Sequence, residues 1–187
     1  MGLGSVSLFL ITAILFIEFF FYIPNQIKLS TFFSLQISLL VYGFWNARIL
    51  KVKNIEINSP LISNCLTFVF ISDVHIGSNH PKSLIKIVAK INEIKPKFLL
   101  IGGDLIDSSS FDIDHLSCFK EIKCPIFFVT GNHEYYIQNY QKHLDDLKKV
   151  GIQILNNQSI QIDQINLIGI NDNISIKDKE DYYQNLK

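Results

Sequence analysis

The apolar positions of this chain follow three rhythms. From Gly2 to Ile23, Leu, Ile, Val and Phe run almost without interruption until Pro24 and Asn25 close the segment. As a helix this run is about 33 Å long, enough to cross a bilayer. Leu29 to Trp45 is a weaker candidate, because it is shorter and carries Ser30, Thr31, Ser34, Gln36 and Ser38, although Tyr42 and Trp45 at its end suit a membrane–water interface. A cleaved signal peptide needs a basic start and a small-residue cleavage site. Here no Lys or Arg precedes Lys28, and the first run ends Phe19-Phe20-Phe21-Tyr22, so the pattern predicts a retained span and, with the second segment, a helical hairpin.

Past residue 65 short apolar runs alternate with stretches of helical spacing. Leu66 to Ile71 (LTFVFI) reads as a strand buried on both faces. Pro81 opens a helix in which Leu84, Ile87, Val88, Ile91 and Ile94 recur on one side, and Lys95-Pro96 ends it. Phe98 to Ile101 is a second buried strand. Asp112 or Asp114 then caps a shorter helix that buries Leu116, Phe119 and Ile122, before Pro125 leads into a third strand, Ile126 to Val129. Tyr140, Leu144, Leu147 and Val150 stripe a third helix that stops at Gly151, a left-handed C-cap. The order βαβαβα predicts an α/β fold with a parallel sheet. Further strands follow near Ile152 to Leu155, Ser159 to Ile162 and Ile165 to Ile170, the last two spaced as a hairpin.

Charge divides the chain in the same way. Seventeen basic and 17 acidic residues cancel, so no field of one sign is available to recruit nucleic acid, and none is expected as a partner. Residues 1–47 hold only Glu18 and Lys28. Arg48, Lys51 and Lys53 follow at once, and this basic excess on the body side predicts a cytoplasmic body. Glu18 lies a turn and a half from Pro24, where an acidic side chain reaches the interface at low cost. Cys65, Cys118 and Cys124 are too scattered for a disulfide framework or a thiolate metal site, which fits a reducing compartment.

Each strong strand ends in metal-binding residue types: Ser72-Asp73-Val74-His75, Gly102-Gly103-Asp104 and Thr130-Gly131-Asn132-His133-Glu134. The carboxyl ends of parallel strands form the ligand crevice of such a sheet, so these groups converge. In an extended segment Asp73 and His75, two apart, point to one side. Asp104 has two carboxylate oxygens with which to bridge two cations, and the glycines before it let the backbone crowd the site. Asn132 adds a carbonyl oxygen, leaving His133 free for proton transfer. His80 before Pro81 reads as a surface cap, His115 and His143 lie in predicted helices without a ligand role, and His143 reads as a solvated face residue.

ISDVHIG, GGDLID and GNHEYY resemble the first three signature blocks of the calcineurin-like metallophosphoesterase superfamily, DxH, GDxxD and GNH[DE], over about residues 66 to 172. The apolar leader, with Gly151-Ile152, Leu155-Asn156-Asn157 and Gly169-Ile170-Asn171-Asp172, further resembles its bacterial membrane-anchored branch. The resemblance implies an inner-membrane hydrolase with two divalent metal ions such as Mn, Fe or Zn. Asp73 and His75 would hold the first, Asp104 would bridge, Asn132 would hold the second, and His133 would serve the departing oxygen. Asp107 would orient a ligand, its alternative reading being a turn or helix-entry residue. The implied substrate is a phosphomonoester, a phosphodiester or a lipid-linked diphosphate such as UDP-diacylglucosamine.

The family completes its site with three histidines from later GH and GHxH blocks, and after His133 this sequence has only His143. The second metal site is therefore expected to be incomplete, and the fold to be the parallel-sheet half of a two-layer sandwich behind one or two transmembrane helices. The organisation read from the sequence is a membrane anchor over 1–47, a linker and entry strand over 48–65, and a C-terminally incomplete phosphoesterase domain over 66–187, with a missing C-terminal half as a candidate partner. The competing reading is a catalytically inactive, membrane-tethered remnant that acts as a binding module.

Overall fold

A computed structural model describes residues 3–79, 81–109 and 113–172. His80 and the candidate cap Asp112 lie outside the described residues. The chain separates into two compact units, Met1–Lys53 and Asn54–Lys187.

The first unit is a pair of helices, α1 (Leu3–Phe20) and α2 (Asn25–Ala47). Gln36 Nε2 donates to Ser7 Oγ at 3.0 Å, and Lys28 pairs with Glu18. Position 7 thus meets 36 while 18 meets 28, so the helices run antiparallel. Among the described residues α2 is the helix long and apolar enough to cross a membrane, and α1 is a shorter apolar helix. α1 ends at Phe20, whereas α2 starts directly after Pro24, gains a turn over the expected Leu29 start, and runs to Ala47.

The second unit is built on a four-stranded parallel sheet of β1 (Val69–Ile71), β2 (Leu99–Gly102), β3 (Ile126–Val129) and β4 (Ile152–Ile154), in that order. On one face lie α3 (Pro81–Ile94), a 3₁₀ helix (Ile113–Glu121) and α5 (Tyr140–Lys149). Pro81 sits at the first helical position of α3, and Lys95, in a left-handed conformation, ends that helix before Pro96. Leu84, Val88 and Ile91 of α3, Leu116 and Phe119 of the 3₁₀ helix, and Leu144 and Leu147 of α5 join Leu99, Ile101, Ile126 and Phe128 in the main core. Gly151, with φ +90°, closes α5 through an N–H donated to Lys148 O, and Lys148 and Lys149 complement the negative end of the helix dipole. His143 is buried, not solvated, because the inward face of α5 is wider than its aliphatic stripe and also takes in Asp146, whose carboxylate pairs with Lys149 at 2.8 Å.

A hairpin of β5 (Gln158–Ile162) and β6 (Ile165–Gly169) turns at Asp163-Gln164. It covers part of the opposite face, where Phe98, Phe127 and Leu155 pack with Ile160, Ile162, Ile165 and Leu167. β1 is shorter than the apolar run that suggests it and is not buried on both faces: Phe70 is 60% exposed, because that part of the sheet has no described element over it.

Candidate active site at the strand ends

The backbone pairing of β1 with β2 continues past both strands. Asp73 N–H donates to Gly103 O at 3.2 Å, His75 N–H to Asp104 O at 3.1 Å and Ile76 N–H to Leu105 O at 2.7 Å. The loops carrying the first two sequence blocks are thereby locked in register. Asp73, His75 and Asp104 all have positive φ, 55°, 52° and 53°. Positions of this kind in non-glycine residues persist when the surroundings over-determine them, and they cluster at functional sites. The expected extended Asp73–His75 geometry is therefore corrected: both residues take left-handed backbone while their N–H groups pair with the carbonyls of Gly103 and Asp104.

Glycines make the next loop fit. A Cβ on Gly103, whose φ is +89°, would lie 2.7 Å from Gly131 N, and one on Gly131 would lie 2.2 Å from Asp104 Oδ1. The β2 and β3 loops are thus in backbone contact, which only glycine allows. β3 runs through Gly131 into the short helix α4 (Asn132–Tyr136), which starts at Asn132 and places His133 in its first turn.

Ligand atoms of His75, Asp104 and His133 lie within 4.8 Å of one another. The two imidazole rings stand edge to face, 4.7 Å between centroids, and Asp104 Oδ1 accepts the backbone N–H of His133 at 3.0 Å. Behind them Asp107, its side chain 8% exposed, places Oδ2 3.2 Å from His75 Nδ1. Asp107 thus orients His75 and leaves Nε2 facing Asp73, whose Oδ1 is 4.0 Å away. That gap is too long for a hydrogen bond. Two donors that share one ion with bonds of about 2.0–2.2 Å can stand that far apart. Burial raises the Asp107 pKa, but the Ser78 hydroxyl and amide and the His75 ring outweigh it and hold the carboxyl below its ordinary value. It is an anionic partner for an imidazole N–H. Asp73 lies outside the three-residue cluster, its side chain 65% exposed. Asn132 stands half-buried at the head of α4.

Glu134 received no role from the sequence, yet it is 1% exposed and its carboxylate accepts four backbone N–H groups. Oε1 takes those of Leu105 (2.7 Å) and Ile106 (3.0 Å); Oε2 takes those of Asp104 (3.1 Å) and Gly131 (2.8 Å). Two signals pointed to it: the acidic last position of the GNH[DE] block and its place three residues after Gly131, where a capping-box acid belongs. The later segments reach the same corner: Thr130 Oγ1 is 2.8 Å from Tyr135 Oη, and Asp172 N–H donates to Thr130 O at 3.3 Å. His115 lies on the 3₁₀ helix and His143 on α5, outside this cluster. Burial pushes the Cys118 and Cys124 thiols up, away from thiolate chemistry.

A family model described as calcineurin-like phosphoesterase matches residues 66–185. Among curated proteins, an uncharacterized metallophosphoesterase of Campylobacter jejuni is 32% identical over 127 residues, 65% of this chain and 34% of its own length. One of Helicobacter pylori is 32% identical over 126 residues, with the same two shares. A transmembrane protein with metallophosphoesterase domain of Danio rerio is 34% identical over 150 residues, 72% of this chain and 34% of its own length. The chain spans about a third of the length of the curated relatives it matches.

Proposed function

Because the chain belongs to the calcineurin-like phosphoesterase family, we propose that it serves metal-dependent hydrolysis of a phosphoester at a membrane surface. The observation that carries this reading is the meeting of His75, Asp104 and His133 within 4.8 Å at the ends of three parallel strands. A mixed set of imidazole nitrogen and carboxylate oxygen, as His75 and Asp104 offer, suits a divalent transition-metal ion such as Zn, Fe or Mn better than one that takes oxygen alone. Asp73, His75 and Asp104 would hold a first cation; Asp104 and Asn132 would hold a second. Bound cations supply acidified water and neutralise charge on the phosphoryl group. Within the protein, Asp107 holds the His75 ring in the tautomer that frees Nε2. His133, half-buried beside both, is placed to give a proton to the departing oxygen.

The substrate class we propose is a phosphomonoester, a phosphodiester or a lipid-linked diphosphate. The apolar helix pair supports the membrane setting, as does the relative whose name includes "transmembrane". Arg48, Lys51 and Lys53 support a bacterial inner-membrane anchor with the second unit cytoplasmic. A reporter fused after Lys187 that is active only in the cytoplasm is the expected result, and periplasmic activity overturns that orientation.

A second reading is a binding module without turnover, in which the cluster of His75, Asp104 and His133 holds an ion and no substrate is hydrolysed. The full chain in detergent, titrated with Mn²⁺ and assayed on bis(4-nitrophenyl) phosphate, separates the two. Chelator-sensitive hydrolysis lost in Asp104→Ala supports the enzyme. Binding of about one Mn²⁺ with no hydrolysis supports the module, and absence of Mn²⁺ binding refutes the metal site.

A further inference from the structure

We infer that Glu134 is the positioning residue of this site, the group that holds the β2 and β3 loops at the separation where Asp104 and His133 face each other. The inference rests on the proposed metal-dependent reading and adds to it a residue outside the donor set.

A carboxylate that is 1% exposed has lost nearly all its water, a loss that must be offset by hydrogen bonds or charge. Its four partners are all backbone amides, two to each oxygen, so every strong acceptor direction is used. Three of those amides, Asp104, Leu105 and Ile106, follow β2 in the chain; the fourth, Gly131, follows β3. The same side chain therefore grips one loop by three consecutive N–H groups and its own loop by one. Between those grips lie the Gly103–Gly131 backbone contact and the hydrogen bond from His133 N–H to Asp104 Oδ1. A merely buried acid would need only some of these partners. Serving both loops with both oxygens is what fixes Asp104 and His133 relative to each other.

The chemistry of the replacements is discriminating. In Glu134→Gln one oxygen becomes an NH₂ group that meets two N–H donors head on, whichever way the amide turns. In Glu134→Asp both oxygens remain on a side chain one methylene shorter, which no longer spans the two loops fully. Glutamine, the nearer isostere, should thus be the worse substitute.

The test compares the full chain and both variants in detergent, at a temperature where circular dichroism shows each to be folded. It measures backbone hydrogen exchange without metal and the affinity for Mn²⁺. Expected are faster exchange at residues 104–106 and 131, with strand residues 99–101 and 126–128 unchanged, and Mn²⁺ affinity reduced about 10- to 100-fold in Glu134→Gln and less in Glu134→Asp. Loop exchange and Mn²⁺ affinity equal to the parent in either folded variant overturn the inference. So does a loss of protection spread evenly over the whole sheet, which marks a general packing role. If the parent binds no Mn²⁺, the metal reading falls by itself, and the exchange pattern still decides whether Glu134 holds the loops.

Discussion

The two faces of the sheet are made from the same strands and are covered very differently. Toward the helices point Val69 and Ile71 of β1, Leu99 and Ile101 of β2, and Ile126 and Phe128 of β3, all in one cluster with α3, the 3₁₀ helix and α5. Toward the hairpin point Phe127, Leu100 and Val129, and the cluster there has three buried members, Phe98, Phe127 and Leu155. At the β1 end of this face the cover is incomplete: Phe68 stacks on Phe98 yet is 41% exposed, and Phe70 is 60% exposed. The contrast teaches where stability and chemistry reside. The helix face holds the strands at fixed spacing, and the loops at their carboxyl ends inherit that spacing, whereas the hairpin face contributes less to it.

The largest expected effect that would test this contrast is on the helix face. Phe128→Ala, a central side chain at 1% exposure, should cost about 3–5 kcal/mol through lost burial and a residual cavity, read from the thermal unfolding of the chain in detergent. A cost below about 1 kcal/mol would mean that this face collapses around the gap and is not the rigid one. At the other extreme Phe70→Ser should change stability by no more than about 0.5 kcal/mol, as for an ordinary surface position, and should reduce self-association, because an exposed aromatic ring on an apolar strand is adhesive surface. A cost above about 2 kcal/mol in the same melt would show that something covers Phe70 in solution, and the two faces would then be equals.

Much of this arrangement is legible in the sequence, for reasons local to it. Pro81 and Lys95-Pro96 bracket α3, Gly151 ends α5, and the apolar tetrapeptide Ile126–Val129 coincides with β3. The convergence of Asp104 and His133 follows from their placement at strand ends. What escapes the sequence is set by partners far along it. The left-handed backbone at Asp73 and His75 answers to carbonyls about 30 residues away, and nothing in Asp-Val-His announces it. The amides that Glu134 serves lie 28 to 30 residues earlier as well as at Gly131. Phe70 looks like core by composition, since an apolar run reports hydrophobicity and not whether a second layer lies above it. The start of α2 at Asn25, a turn before the apolar segment from Leu29, is likewise not marked by apolar content.

The sheet order has a consequence for how the molecule is made. Each strand pairs with the next along the chain, Val69 with Leu99, Leu99 with Ile126 and Ile126 with Ile152, so every pairing closes a loop of about 30 residues or fewer. Such a sheet can be laid down in the sequence in which it leaves the ribosome, each βα unit docking on its predecessor without waiting for a distant segment. The exception is the clasp made by Glu134, which leaves the Asp104 loop without its acceptor until β3 and the first turn of α4 have emerged. During synthesis the donor residues thus exist for a time as an open, unlatched corner on an otherwise growing scaffold, and the latch closes with the arrival of that single carboxylate.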